Sequence, residues 1–186
     1  AQIITVLRDP LTRCASNYQD EVLRGNLKLS FEDWIARTEH QNLSVKIIAG
    51  GKDLEKAKIL LRDSYHWVGI TERFDESLRL LNLQIDEPLN LKYRRMITAG
   101  SNDIKNSLLS DPASMELLKK HNQLDSELYD FAMEKIFLPS IEKHKEAMSK
   151  ITLPDQKRSK WNDFKYKRSV GYNKFVYRQL IKLLNK

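Results

Sequence analysis

The chain has 186 residues, a formal net charge of +7 and a single cysteine. That length predicts one domain whose core can form without disulfides. The lone Cys14 excludes an intramolecular disulfide and a cysteine-based zinc site, and no apolar run approaches the roughly 20 residues of a membrane span. The charge is uneven: residues 157–186 carry ten basic side chains against Asp163 alone, a net +9, so the other 156 residues sum to −2. A near-neutral body, residues 1–156, followed by a basic segment, 157–186, helical and packed on the same domain, is the expected organisation.

In chain order, no basic-then-apolar signal segment opens the sequence. It begins directly in "AQIITVL", which reads as a fragment of something longer or as a domain starting on its first strand. Gln2 to Leu7, uncharged and β-branched, predicts a short buried strand. Asp9-Pro10 then gives a helix start, with Leu11, Cys14, Ala15, Tyr18 and Val22 on one apolar face. Ser30 with Asp33 resembles a capping box and predicts a helix to about Thr38. Residues 41 to 52 read as loop, ending in Gly50-Gly51. Asp53 caps a helix to about Asp63. Trp67 to Ile70 is a second strand, and Thr71 can cap the helix after it, with Phe74, Leu78 and Leu81 inward.

Residues 83 to 111 are poorly patterned and read as loop-rich. Asp111-Pro112 repeats the Asp-Pro helix start. From Asp125 a long helical pattern follows, with Leu128, Phe131, Ala132 and Ile136 on one face, and Pro139 is expected to kink or interrupt it. Thr152 to Asp155 is a break. Strands separated by helices at the front predict an α/β fold with a few short parallel strands, and the second half reads as mostly helical.

In such a fold, ligands bind beyond the carboxyl ends of the strands, where helix N-termini point free N–H groups outward. Arg8 falls at that position, and its guanidinium can grip a phosphate bidentately. Ser16, two turns into the following helix, lies on the edge with Thr12 and Gln19 and can add a hydroxyl to the same anion. The alternative is a plain strand-to-helix joint with a surface arginine.

The stretch "VLRDPLTRCASNYQ" resembles the 3′-phosphate-binding motif of sulfotransferases that use 3′-phosphoadenosine 5′-phosphosulfate (PAPS). In that family a strand ends in Arg-[Asp/Asn]-Pro and a serine follows eight residues after the arginine, often shortly before a tyrosine; Arg8, Asp9, Pro10, Ser16 and Tyr18 match. "WVGITERFDESLRLL" (67–81) and "LDSELYDFA" (124–132) resemble a later strand and helix of the carbohydrate branch, so the likeness covers about residues 3 to 138. It implies a P-loop-like sulfotransferase fold, and it implies that Arg8 and Ser16 bind the 3′-phosphate of PAPS or of its product, adenosine 3′,5′-bisphosphate. It also implies that Thr71 forms an edge of the nucleoside pocket. The acceptor would be a hydroxyl, on a carbohydrate. "YKRSVG" (166–171) is a loose analogue of a late phosphate-touching loop, with Lys167 and Arg168 read as solvated charge.

The family's loop for the 5′-phosphosulfate precedes the Arg-Asp-Pro motif, as does its base in most members. Only seven residues precede Arg8 here, and Gly50-Gly51-Lys52 lacks the spacing. The expectation is a C-terminal, 3′-phosphate-binding portion, inactive alone, with the missing N-terminal segment of the same protein as a partner. His40, His66, His121 and His144 read as structural or solvated, so no catalytic residue and no metal ligand is assigned. Two other readings stand beside this one: a basic module whose segment 157–186 docks nucleic acid or an acidic glycan, and a non-catalytic sulfotransferase-like domain. The composition without a signal fits a bacterial cytoplasmic protein; animal relatives of the resembled branch work in the Golgi lumen.

Overall fold

The computed structural model describes residues 2–23, 25, 28–87, 89, 91 and 102–153. Two strands, β1 (Ile4–Leu7) and β2 (Trp67–Ile70), pair in parallel, with Ile4 opposite Trp67 and Leu7 opposite Ile70. Between them run α1 (Pro10–Leu23), α2 (Phe31–Ile35), a 3₁₀ turn (Thr38–His40), α3 (Leu43–Ala49) and α4 (Leu54–Asp63). After β2 come a 3₁₀ turn (Thr71–Arg73) and α5 (Phe74–Gln84), then α6 (Asp103–Ser110), α7 (Pro112–His121) and α8 (Gln123–Phe131). A π-helical turn (Ala132–Phe137) leads straight into α9 (Leu138–Ser149). The parallel pair linked through helices accords with the expected α/β organisation, although helix dominates. No helix among the described residues is long and apolar enough to cross a membrane.

Every residue of β2 is buried, which is why its sequence is continuously apolar rather than alternating. β1 is half covered: Leu7 is buried, while Ile4 and Val6 are exposed. At Gly69 the Trp67 indole folds back over the strand. A Cβ there would lie 2.2 Å from Trp67 Cη2, so the glycine makes room for the ring. Around the strands Leu7, Ile70, Leu61, Leu80, Leu128 and Phe137 form one core. A second core joins α1, α2 and α7 through Cys14, Ala15, Phe31, Trp34, Ile35 and Leu118. Burial pushes the Cys14 thiol above its ordinary pKa, so it behaves as a small apolar side chain.

The predicted helix starts are present with their caps. Asp9 accepts from the Thr12 amide, Ser30 from Asp33, Asp53 from Lys56 and Asp111 from Ser114. The expected loop at 41–52 is instead α3 for most of its length, closed by Gly50 in the left-handed region at φ +75°. α2 stops at Ile35 rather than Thr38. Within 83–111, residues 103–110 form α6. Thr71 does not cap α5: its hydroxyl donates to the Leu7 carbonyl, and α5 starts at Phe74 without a side-chain cap. The inward face of α5 is Ser77, Leu80 and Leu81 rather than Phe74, Leu78 and Leu81.

Pro139 sits inside a continuous helical run. Its missing N–H and its ring, which would press on a carbonyl one turn back, are accommodated by the wider π turn just before it. That turn slips the helix phase by one residue. The buried positions run Leu128, Ala132, Phe137, a step of four and then of five, so Phe137 takes the inward place expected of Ile136. The basic segment 157–186, with Lys167 and Arg168, and the expected boundary at 156/157 lie outside the described residues.

Candidate functional site at the strand ends

Arg8 and Thr71 each follow the last paired residue of their strands, so the register sets them side by side at the carboxyl end of the sheet. Arg8 is half-buried, and its guanidinium makes no hydrogen bond or ion pair with a described residue. Its backbone neighbours, by contrast, are tied across the sheet end. The Thr71 hydroxyl donates to the Leu7 carbonyl at 3.0 Å. The Asp9 amide donates to Glu72 Oε1 at 3.1 Å. Tyr129, from α8, donates its hydroxyl to the other Glu72 oxygen at 2.9 Å. Burial first, and the Glu72 carboxylate second, hold the Tyr129 phenol well above its ordinary pKa, so it stays a donor.

The N-terminus of α1 offers fewer donors than its place suggests. Pro10 has no N–H, Asp9 Oδ1 takes the Thr12 amide at 2.7 Å, and the Asp9 carbonyl takes the Arg13 amide at 2.9 Å. Leu11 holds the one first-turn amide without a described partner. An anion at this end is therefore met by side chains more than by helix backbone. Ser16 stands half-exposed on α1, about 9 Å of helix rise beyond Pro10. Its hydroxyl makes no hydrogen bond to a described residue. Thus the strand register brings Arg8 and Thr71 together, while Ser16 lies further along the helix that starts beside them.

One layer below, Asp125 of α8 is fully buried and accepts from Arg13 Nη2 at 2.9 Å, from the Ser44 amide at 2.9 Å and from the Val45 amide at 2.8 Å. It caps α3 and neutralises Arg13 at once. Asn122 Oδ1 lies 3.3 Å from the same guanidinium nitrogen. Residues from all three stretches singled out in the sequence (3–19, 67–81 and 124–132) thereby meet through specific bonds. The sequence reading assigned no role to Glu72, Tyr129, Arg13 or Asp125; each pairs with a residue more than 50 positions away.

The histidines stand elsewhere. His66 precedes β2, at the opposite end of the sheet, and its Nε2 lies 2.7 Å from the Gln84 carbonyl. His40 stacks on Trp34 with ring centroids 3.9 Å apart, and burial lowers its pKa. Burial also lowers His121, at the end of α7. His144 Nδ1 lies 2.8 Å from the Ser140 carbonyl. Gly50-Gly51-Lys52 closes α3 and forms no phosphate loop. A cleft of about 690 Å³ runs between α5 and α9, lined by Arg73, Arg79, Lys145, Ser149 and others, but by none of Arg8, Ser16 and Thr71.

No protein-family model, curated protein or solved structure matches this chain.

Proposed function

We propose that this chain is the 3′-phosphate-binding portion of a PAPS-dependent sulfotransferase with a P-loop-like fold. The observation that carries the reading is the bracketed, unpaired Arg8 at the carboxyl end of the parallel strands. A fixed backbone, a half-buried guanidinium and no internal carboxylate partner are what a site for an external dianion requires. Convergence of the three stretches on this point supports their being parts of one site rather than separate coincidences.

In this reading Arg8 grips the 3′-phosphate, Ser16 adds a hydroxyl donor, and Thr71 borders the nucleoside while also stapling the strand end. The sulfuryl group would pass in line from the cofactor's 5′ side to an acceptor hydroxyl, on a glycan. Negative charge then develops on the bridging oxygen of the 5′-phosphate, and preorganised donors must meet it there. Arg8 and Ser16 serve the other phosphate, and none of the four histidines stands beside Arg8 to take the acceptor's proton. Binding without turnover is thus expected of these 186 residues alone.

Calorimetric titration with adenosine 3′,5′-bisphosphate tests the reading. Arg8→Ala removes a charge-assisted hydrogen bond, so affinity is expected to fall about ten- to a hundredfold. Ser16→Ala, losing one neutral donor, is expected to cost less. Unchanged affinity in the Arg8 variant overturns the assignment. The +9 charge of 157–186 favours a second reading, a module for nucleic acid or acidic glycan. Such binding would weaken steeply with salt and ignore Arg8.

A further inference from the structure

We propose that Glu72 is a positioning residue: its carboxylate, held between Asp9 and Tyr129, fixes the strand end that presents Arg8. The inference rests on the anion-binding reading of Arg8 and deepens it by naming what holds that arginine in place.

Two bonds bracket Arg8. The Thr71 hydroxyl holds the carbonyl of the preceding residue, and Glu72 Oε1 holds the amide of the following one. A residue whose neighbours are both tied to the opposite turn has a fixed backbone direction, while its own side chain stays free for a ligand. Glu72 is itself exposed, so its carboxylate would swing in solvent without a second anchor. Tyr129 is that anchor, reaching from α8 to Oε2 at 2.9 Å. The latch thus runs from α8 through the 3₁₀ turn after β2 to the end of β1. It spans sequence separations of 57 and 63 residues.

The charge of Glu72 makes the inference decidable by sign. A carboxylate beside an anion site repels the anion, so if electrostatics were its whole effect, removing it would tighten binding. If Glu72 positions Arg8, removing it weakens binding despite the lost repulsion. Glutamine separates the two effects. Its carboxamide keeps an oxygen for the Asp9 amide and offers an N–H to the Tyr129 oxygen, without the charge.

The test titrates adenosine 3′,5′-bisphosphate into the intact chain and into its Glu72→Ala, Glu72→Gln, Tyr129→Phe and Arg8→Ala variants. Hydrogen exchange at the Asp9 amide is followed without ligand. Glu72→Ala is expected to bind about three- to tenfold more weakly and to exchange faster at Asp9. Glu72→Gln is expected to match or exceed the parent, and Tyr129→Phe to fall between. Equal or tighter binding by Glu72→Ala, with Arg8→Ala still weakened, overturns the positioning role alone. Unaltered exchange at Asp9 overturns it too. Binding indifferent to Arg8→Ala, or absent from the parent chain, overturns the anion-binding reading and this inference with it.

Discussion

The Asp125 carboxylate stands 2.9 Å from Arg13 Nη2 and 2.8 Å from the Val45 amide, with none of its side chain exposed. One buried acid thus serves as counterion for α1 and as cap for α3. Arg13 Nε is buried without a hydrogen-bond partner, so its charge leans on this contact. Asp125→Ala strands a largely buried guanidinium and uncaps α3. The expected loss of stability is about 3–5 kcal/mol, the usual cost of breaking a buried pair. Chemical denaturation measures it, and a loss below about 1 kcal/mol would contradict the dual role.

Gly69→Ala is expected to destabilise by about 1–3 kcal/mol, because the new methyl enters the space of the Trp67 indole and the ring must leave its place. A lower melting temperature together with an altered near-ultraviolet signal checks it. A variant that melts like the parent would show that the ring has room to move.

At alkaline pH, Tyr129 predicts a specific loss. Its folded pKa is raised, so above about pH 10 the unfolded chain releases the phenolic proton first and stability falls as pH rises. Tyr18 is shifted the same way, by burial first, and titrates in both proteins. Tyr129→Phe is therefore expected to flatten the alkaline limb without abolishing it. Limbs that superimpose would refute the assignment.

His40 predicts the mirror case in acid. Burial lowers its folded pKa, so below about pH 6.5 the unfolded chain binds the proton more readily and stability falls with pH. His40→Phe keeps a ring against Trp34 and removes the titration, so it is expected to lessen that acid slope. Nuclear magnetic resonance titration of the parent imidazole gives the second check: a midpoint at or above the ordinary histidine value would be the wrong sign.

The helices legible in the sequence carry their own punctuation. Asp9, Ser30, Asp53 and Asp111 each hold an amide three residues ahead, within the window a local pattern spans. The two helices read as loop are punctuated from afar. α3 starts at Asn42, with φ +47° and no side-chain cap of its own, and its first amides go to Asp125, about 80 residues on. α6 lacks a local side-chain cap as well; the Lys105 amide goes to Gln19 Oε1 at 3.0 Å. The candidate site divides along the same line. Arg8 could be placed because a strand end and an Asp-Pro start define it locally. Glu72 and Tyr129 could not, since the signal for each is a partner in another stretch.

The π turn at Ala132–Phe137 has a consequence for how this chain can change length. It holds one residue more than an α-helix would use, and that residue brings Phe137 beneath the Arg73 guanidinium, 5.4 Å from its ring centre. Deleting one residue within 132–137 would turn everything beyond it about 100° around the axis. Phe137 would swing away from Arg73, the neighbour of Glu72, and Pro139 would meet a closed α turn. Substitutions there alter single contacts, whereas a one-residue deletion alters the phase of all of α9. The segment's residue count is therefore a stricter inheritance than its residue types.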